Sequence, residues 1–358
     1  MSTPGAVGAV LVGFGHGGRV FHAPLIAHDP GLHLAAVVTR SPDRRAEARA
    51  AYPDAVVAAT LEEALRAVPD LGLAVISTPP ATHALLAAEA LGRGLHAVVD
   101  KPFVVRAADG EHLIRTARTA DRLLVPFHNR RWDGDFLTVR SLAASGALGG
   151  VLGFESAMES WKGPSTKRWK RDAGAAVGGG VLYDLGPHLV DQALVLLGPA
   201  VPVFAELRAD GDGAAEDSLF LVLEHEGGIT SHLHAGTRVP LARPRFRVRG
   251  VAAGLTITGT DPQEGLLAAG VLPGDLPGAA DGRPGAHGRG MLGRAEGTEP
   301  LPIAPGAYPS FYAGVSAAIR GEGPPPVRAE DALAVARIIE QVHASFPVRR
   351  GDRQGPRP

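Results

Sequence analysis

The chain has 358 residues, 36 Lys+Arg against 37 Asp+Glu, and 45% hydrophobic residues, a length that predicts about two domains at ~150 residues each. It has no cysteine, which excludes a disulfide framework, a thiolate nucleophile, Cys-ligated zinc and iron–sulfur clusters. The neutral balance argues against non-specific binding to nucleic acid or a membrane surface.

Among the basic residues only four are lysines: Lys101, Lys162, Lys167 and Lys170. The excess of Ala, Gly, Arg and Pro reads as coding bias, so arginine fills most positions where any positive charge serves. A lysine is then worth locating, because it is compact and can titrate when buried. No apolar run reaches the ~18 residues of a membrane span, and Met1–Gly5 lacks the positive start of a signal peptide. A soluble cytoplasmic protein is the expectation.

The first third alternates apolar runs with helical patterns. Val7–Val12 reads as a strand ending in a glycine-rich turn, followed by a helix over Arg19–Ile26. Leu34–Thr39, Leu73–Ser77, His96–Asp100 and Leu123–His128 read as further strands, and Leu61–Val68, Ala84–Gly92 and Asp109–Ala120 as helices. Strand–helix alternation implies βαβ units and a buried parallel sheet. After a helix over Asp133–Ser145 the pattern becomes β-rich, at Val151–Glu159, Val203–Arg208, Ser218–His225, Ile229–His234, Phe246–Val251 and Leu255–Gly259. That grouping predicts an α+β domain with a large, mostly antiparallel sheet. Residues 261–305, dense in Gly and Pro, read as long loops. Tyr308–Arg320 and Ala329–Ser345 read as closing helices, and Arg349–Pro358 as a disordered tail. The expected domains are 1–128, 129–346 and a tail, 347–358.

Gly13-Phe14-Gly15-His16-Gly17-Gly18 fits G-x-G-x-x-G between a strand and a helix. In that context the glycines permit a tight turn and close approach to a pyrophosphate, which the helix N-terminus then meets with N–H donors. NAD-binding folds carry an acid at the end of the second strand, ~20 residues on. Here that place reads Thr39-Arg40-Ser41. An arginine and two hydroxyls suit a 2′-phosphate, so the expected cofactor is NADP(H) before NAD(H). The alternative is that Arg40 is only a solvated arginine.

Ligands of open α/β sheets bind beyond the carboxyl ends of strands. Thr78-Pro79-Pro80-Ala81-Thr82-His83 and Asp100-Lys101-Pro102 stand at two such ends. Lys101 follows apolar strand residues; its bland reading is a surface lysine paired with Asp100. Further on, Gly178-Gly179-Gly180 precedes Asp184, His188 and Asp191. On one helix, Asp184 and His188 at i and i+4 share a face, with Pro187 calling for an early-turn position or a kink. Here the bland reading is a cap and a satisfied helix histidine. Taken with a nucleotide domain, these residues suggest carbonyl/alcohol chemistry. His188 suits the base for a hydroxyl proton, Lys101 the charge at a developing oxyanion, and Asp184 the partner of a neighbouring hydroxyl.

These segments, with Phe21-His22-Ala23-Pro24, His128-Asn129-Arg130-Arg131-Trp132-Asp133 and Gly259-Thr260-Asp261-Pro262-Gln263-Glu264, together resemble the glucose–fructose oxidoreductase / inositol dehydrogenase / MocA family. The similarity runs from about residue 7 to 345 and leans towards its NADP-dependent scyllo-inositol dehydrogenase-like branch. The resemblance implies a Rossmann domain, then an α+β domain whose open sheet makes an oligomer interface, hence a homodimer or homotetramer. It implies Lys101, Asp184 and His188 as the catalytic set with substrate between the domains. For the cofactor it implies Gly13, Phe14, Gly15, His16, Gly18, Arg19, Thr39, Arg40, Ser41, Thr78, Pro79, His83, Asp100, Lys101 and Asn129. For a polyol, sugar or related small molecule it implies Lys101, Asn129, Trp169, Asp184 and His188. Two positions depart from the family pattern: Asp100 where Glu is usual, and Pro80 where Asn is frequent.

Trp161–Arg171, which holds the other three lysines, reads either as a loop over the active site or as a plain solvated loop. His232 and His234, two apart on a strand, share one side. With no third ligand apparent they suit a sheet surface or subunit interface better than a metal, and no metal is expected. Two rival functions remain at this stage. One is a dinucleotide-binding regulator that has lost its chemistry; the other is NAD-dependent glycosidase action through a transient ketone.

Overall fold

Residue by residue, the computed structural model describes 5–161, 174–210, 215–276 and 288–350. The first strand, β1 (Val7–Val12), is buried along nearly its whole length, with Ala9, Val10 and Leu11 fully inaccessible. Burial on both faces is what a continuous apolar run specifies. Around it lie β2 (Leu32–Val38), β3 (Val56–Ala58), β4 (Leu71–Ile76), β5 (His96–Val99) and β6 (Leu124–Pro126), all paired in parallel in the order β3-β2-β1-β4-β5-β6. The order reverses between β1 and β4, which places a ligand crevice beyond their carboxyl ends.

Helices Pro42–Ala51, Leu61–Ala67, His83–Gly92 and Ala107–Thr119 connect the strands. The first of these, and β3, were not apparent in the sequence. Pro42–Ala51 is polar and mostly exposed, with only Ala48 buried, so it offers no apolar stripe to read.

The second sheet has nine strands among the described residues. They are β7 (Val151–Glu159), β8 (Ala200–Ala209), β9 (Ser218–His225), β10 (Thr230–Gly236), β11 (Phe246–Gly250), β12 (Gly254–Thr258), β13 (Arg289–Arg294), β14 (Gly297–Leu301) and β15 (Val348–Arg350). Their order is β14-β13-β12-β11-β7-β10-β9-β8-β15; β10–β7 and β15–β8 are parallel and the other pairs antiparallel. The expected α/β Rossmann domain followed by an α+β domain with a mostly antiparallel open sheet is what the chain forms.

Two compact units share the chain, and the division is not a single cut at residue 128. The first takes the described residues of 1–134, 261–282 and 305–333; the second those of 135–260, 283–304 and 334–358. Residues 261–276 and 305–333 therefore pack with the Rossmann sheet instead of with the second domain to which the sequence assigned them. Tyr308, Phe311, Tyr312 and Val315 supply the reason, since all four are buried in the first unit's core beside Phe127 and Ile26. The stretch 261–305 is also not all loop: it contains the helix Gln263–Ala268, β13 and β14. Likewise Val348–Arg350 pairs with Leu207–Ala209, although the sequence reading began a disordered tail at Arg349. Among the described residues no helix is long and apolar enough to cross a membrane.

Candidate active site

In the first unit the glycine turn leaves β1 with Gly13 at φ +105°. A side chain there would be strained and would also overlap the Ser77 carbonyl. Gly13 N–H donates to Val38 O at 2.9 Å, which joins the turn to the end of β2. A Cβ on Gly18 would overlap the Gly13 carbonyl, and one on Gly17 would come within 2.7 Å of Asp100 Oδ2 and 2.8 Å of Ser77 Oγ. At Gly15 only the tip of Arg44 comes near, with Nη1 4.0 Å from the Cβ position. Three glycines are thus required by the protein's own packing, while Gly15 leaves open the place where a pyrophosphate approaches. The residues fit a dinucleotide.

The helix after the turn begins as a π-turn, Gly18–His22, and continues as Ala23–His28, with Pro24 in its first turn. The single helix expected over Arg19–Ile26 is therefore two segments. Phe14 has its side chain in the core, edge-on to Tyr52 at 6.4 Å, so only its backbone can meet a cofactor. His16 is exposed and lies 3.9 Å from Glu264, and Arg19 is paired with Glu47 at 3.0 Å.

At the end of β2, Thr39 is buried and Arg40 exposed. Ser41 caps the helix Pro42–Ala51, its hydroxyl accepting from Arg44 N–H at a long 3.5 Å. Arg44, placed over Gly15 by that helix, is a candidate phosphate contact that sequence reasoning missed. Its only sequence signal is a position four residues after Arg40.

The ends of β4 and β5 are tied to each other. His83 is buried, with Nδ1 2.9 Å from Pro102 O and Nε2 2.8 Å from Thr78 O, so its ring clamps the two strand-end segments together. Thr78 and Thr82 share a 2.7 Å hydroxyl contact, and the Thr82 hydroxyl donates to Pro79 O. Asp100 accepts from the Ser77 hydroxyl at 2.9 Å and from the Lys101 backbone N–H at 2.7 Å. His22 Nε2 stands 3.4 Å from Asp100 Oδ2. Burial by itself would push the Asp100 carboxyl up. The His22 contact and the charges of His22, His83 and Lys101 outweigh it and hold the group well below the usual carboxylate range. Lys101, half-buried and joined to Pro102 by a cis peptide, follows directly on β5.

Asn129 is buried in the turn Asn129–Trp132 after β6. Arg130 binds Asp133 at 3.1 Å and Glu264 at 2.6 Å, and Tyr308 donates to Asp133 at 2.7 Å. Gln263, also buried, donates to Trp132 O and accepts from Tyr308 N–H. The Asp261–Glu264 segment therefore knits this turn in place, a role invisible while 261–305 reads as loop.

In the second unit, Asp184 and His188 do not share a continuous helix. Val181–Asp184 is one short helix and Gly186–Leu197 the next, with Leu185 at φ −108° between them and Pro187 in the second helix's first turn. Pro187 sits where a missing N–H is harmless. His188 and Asp191 are buried, and Asp184 is half-buried. One turn on, Gln192 accepts from Arg245, which also donates to Ser156 on β7 at 2.5 Å, fixing the helix to the sheet.

The segment that the triple glycine lets in is Glu216. Gly180 has φ +93°, and a Cβ there would overlap the Glu216 carboxylate. Leu182 N–H donates to Glu216 Oε1 at 3.1 Å, and Val181 N–H to Glu216 O at 3.0 Å. Burial pushes the Glu216 carboxyl up to about 7, against the pull of its own backbone N–H and that of Leu182. Nearby, Tyr183 stacks on His343 at 5.3 Å, and His343 Nε2 lies 3.9 Å from Glu216. Glu216 carried no sequence signal beyond being an acid in a polar stretch. His232 and His234 do lie on one side of β10, against Phe220, which stacks on His234 at 4.6 Å. Trp169 and Lys162, Lys167 and Lys170 fall outside the described residues.

Comparison with known proteins follows this geometry. Residues 7–128 match an oxidoreductase family with an NAD-binding Rossmann fold, and residues 136–256 match the GFO/IDH/MocA C-terminal domain. The chain is 36% identical to the oxidoreductase YdgJ of Escherichia coli (strain K12) over 334 residues, covering 92% of this chain and 93% of YdgJ. It is 32% identical to scyllo-inositol 2-dehydrogenase (NADP(+)) IolW of Bacillus subtilis (strain 168), over 95% of this chain and 94% of IolW. The solved structure of YPO2259 from Yersinia pestis superposes with a TM-score of 0.85 at 37% identity, covering 96% of each chain.

Proposed function

This chain belongs to the GFO/IDH/MocA family of oxidoreductases, and from that premise we propose that it transfers a hydride between NADP(H) and the hydroxyl- or keto-bearing carbon of a polyol, sugar or related small molecule. The observation that carries this reading is Lys101. It stands at the carboxyl end of β5, next to Asp100, whose carboxylate reaches the glycine turn through Gly17 and His22.

Gly13, Gly15, Gly18, the backbone of Phe14 and Arg44 would hold the pyrophosphate, with Thr39, Arg40 and Ser41 around the ribose end. A bound nicotinamide supplies the hydride acceptor or donor. In the oxidation direction His188 takes the substrate hydroxyl proton, the ammonium of Lys101 stabilises negative charge on that oxygen, and Asp184 accepts from a neighbouring hydroxyl. Asn129 lines the substrate's surroundings. NADP(H) is favoured because the end of β2 offers Arg40 and no acid. IolW, whose name carries NADP(+), points the same way.

The deciding experiment is a panel of polyols, inositols and sugars assayed with NADP+ and NAD+, run also in reverse with ketoses and inososes. Turnover of no member, or a higher kcat/KM with NAD+, overturns the respective half of the reading. A homodimer or homotetramer is part of the proposal. Val201, Val203 and Phe204 leave apolar surface exposed on β8, and light scattering on the eluting protein gives the oligomer size.

A further inference from the structure

The short helix Val181–Asp184 begins at Gly180, an N-cap with no side chain to accept from the helix's first N–H groups. Those groups need partners, because Val181 and Leu182 are buried. One residue, 34 positions along the chain from Leu182, supplies both acceptors. The backbone oxygen of Glu216 takes Val181 N–H at 3.0 Å, and its Oε1 takes Leu182 N–H at 3.1 Å. The carboxylate lies where a Cβ on residue 180 would stand, so only glycine, at φ +93°, lets it in. From the helix Ala329–Ser345, His343 Nε2 stands 3.9 Å from the same Oε1, and the His343 ring stacks on Tyr183.

From this anchor the hydrogen bonds run on to both residues assigned to the substrate. Asp184 N–H donates to Gly180 O at 3.0 Å, and Leu185 N–H to Val181 O at 2.8 Å. Leu185 O in turn accepts from His188 N–H at 3.2 Å and from Leu189 N–H at 3.3 Å. A single helical turn does not hold itself, since fixing it costs more than its own bonds return. Leu185, at φ −108°, separates it from the helix Gly186–Leu197, so Asp184 is not carried by the longer helix.

We propose that Glu216 is a positioning residue for the reaction: it sets the backbone from which Asp184 and, through Leu185, His188 meet the substrate. The proposal rests on the reading of those two residues as the partner of a substrate hydroxyl and the base. What the turn takes from the Glu216 side chain is an acceptor at Oε1. Glu216→Gln keeps an acceptor there, and Glu216→Ala removes it while the backbone bond to Val181 stays possible.

The test pairs hydrogen–deuterium exchange with kinetics on these two variants. In Glu216→Ala, amides in the peptide over residues 181–189 are expected to exchange about tenfold faster, as for a lost buried hydrogen bond. For the best substrate of the panel, kcat/KM is expected to fall by about tenfold or more, within what an ångström of misplacement costs. NADPH affinity, read by its fluorescence, should stay within about twofold and counts the folded protein. Glu216→Gln should return both exchange and kcat/KM to within about threefold of the unaltered protein. A purely structural role would lower the unfolding free energy and leave kcat/KM per folded molecule unchanged.

Unchanged exchange over 181–189 in Glu216→Ala overturns the proposal. So does faster exchange with kcat/KM unchanged, and so does a Glu216→Gln protein as impaired as Glu216→Ala. Should Glu216→Ala not fold, Glu216→Asp, which withdraws the acceptor by one methylene, carries the same test. Retained turnover in both Asp184→Ala and His188→Ala would sink the functional reading of those residues, while the exchange over 181–189 still decides whether Glu216 holds the segment.

Discussion

The carboxylate of Glu216 occupies the space that a side chain on residue 180 would need. Gly180 at φ +93° and Glu216 against the N–H of Leu182 fit only together, and between them they fix the start of the short helix that carries Asp184. Gly180→Ala must both adopt a strained backbone and displace a buried carboxylate. The expected cost is about 2–4 kcal/mol of unfolding free energy, measured by urea titration. A loss under about 0.5 kcal/mol would mean that the carboxylate moves aside freely.

The raised pKa of Glu216 makes stability depend on pH. The group sits near 7 in the folded protein against 4.5 as its ordinary value. Between those values the folded state keeps a proton that the unfolded chain has released, so stability falls as pH rises through the window. The full effect is on the order of 3 kcal/mol. Glu216→Gln keeps an acceptor for Leu182 N–H and removes the titration. Its stability relative to the unaltered protein should therefore rise between pH ~4.5 and ~7.5 by roughly that amount. His343 titrates in both proteins and largely cancels in the difference. Parallel stability curves would show that Glu216 is not the group responsible.

Lys101→Ala should lower kcat by about a hundred- to a thousandfold, the usual consequence of losing a charge at a developing oxyanion, with NADPH binding retained. Lys101→Arg should also be poor, because a planar guanidinium does not replace a compact ammonium. Steady-state kinetics with the best substrate of the panel decides it, and near-normal turnover in the alanine variant removes Lys101 from the mechanism.

The four glycines of the turn should separate into two kinds. Gly13→Ala, with its positive φ and the Ser77 carbonyl in the way, should cost stability. Gly15→Ala meets almost nothing in the protein itself, so it should fold normally and weaken NADPH binding by about tenfold or more, or ~1.4 kcal/mol. Thermal melts and fluorescence titration on the same two samples distinguish them. A Gly15→Ala protein that binds NADPH normally puts the pyrophosphate elsewhere.

Arg40→Ala should reduce kcat/KM for NADP+ by about ten- to a hundredfold, as expected for a charge-assisted hydrogen bond of ~1.5–3 kcal/mol, and leave the value for NAD+ nearly unchanged. Equal losses with both cofactors would place this arginine away from the 2′-phosphate.

The sequence by itself determined what rests on local physics. Continuous apolar runs separated by helical patterns specify a buried parallel sheet, and a glycine turn between strand and helix specifies where a dinucleotide can approach. The place of Lys101 at a strand end was legible because strand ends can be located from such runs, whereas the single helix read for Asp184 and His188 is two. Only the tertiary structure decided what depends on remote partners. Tyr312 meets His22 across 290 positions in sequence, and Glu216 reaches Leu182 across 34. Residues 261–276 and 305–333, Gly- and Pro-rich at their start, pack with a sheet formed more than a hundred residues earlier. Backbone preference and periodicity reach only a few residues along the chain. A buried carboxylate takes its charge and orientation from whichever segments the fold brings against it, and no short window of sequence contains them.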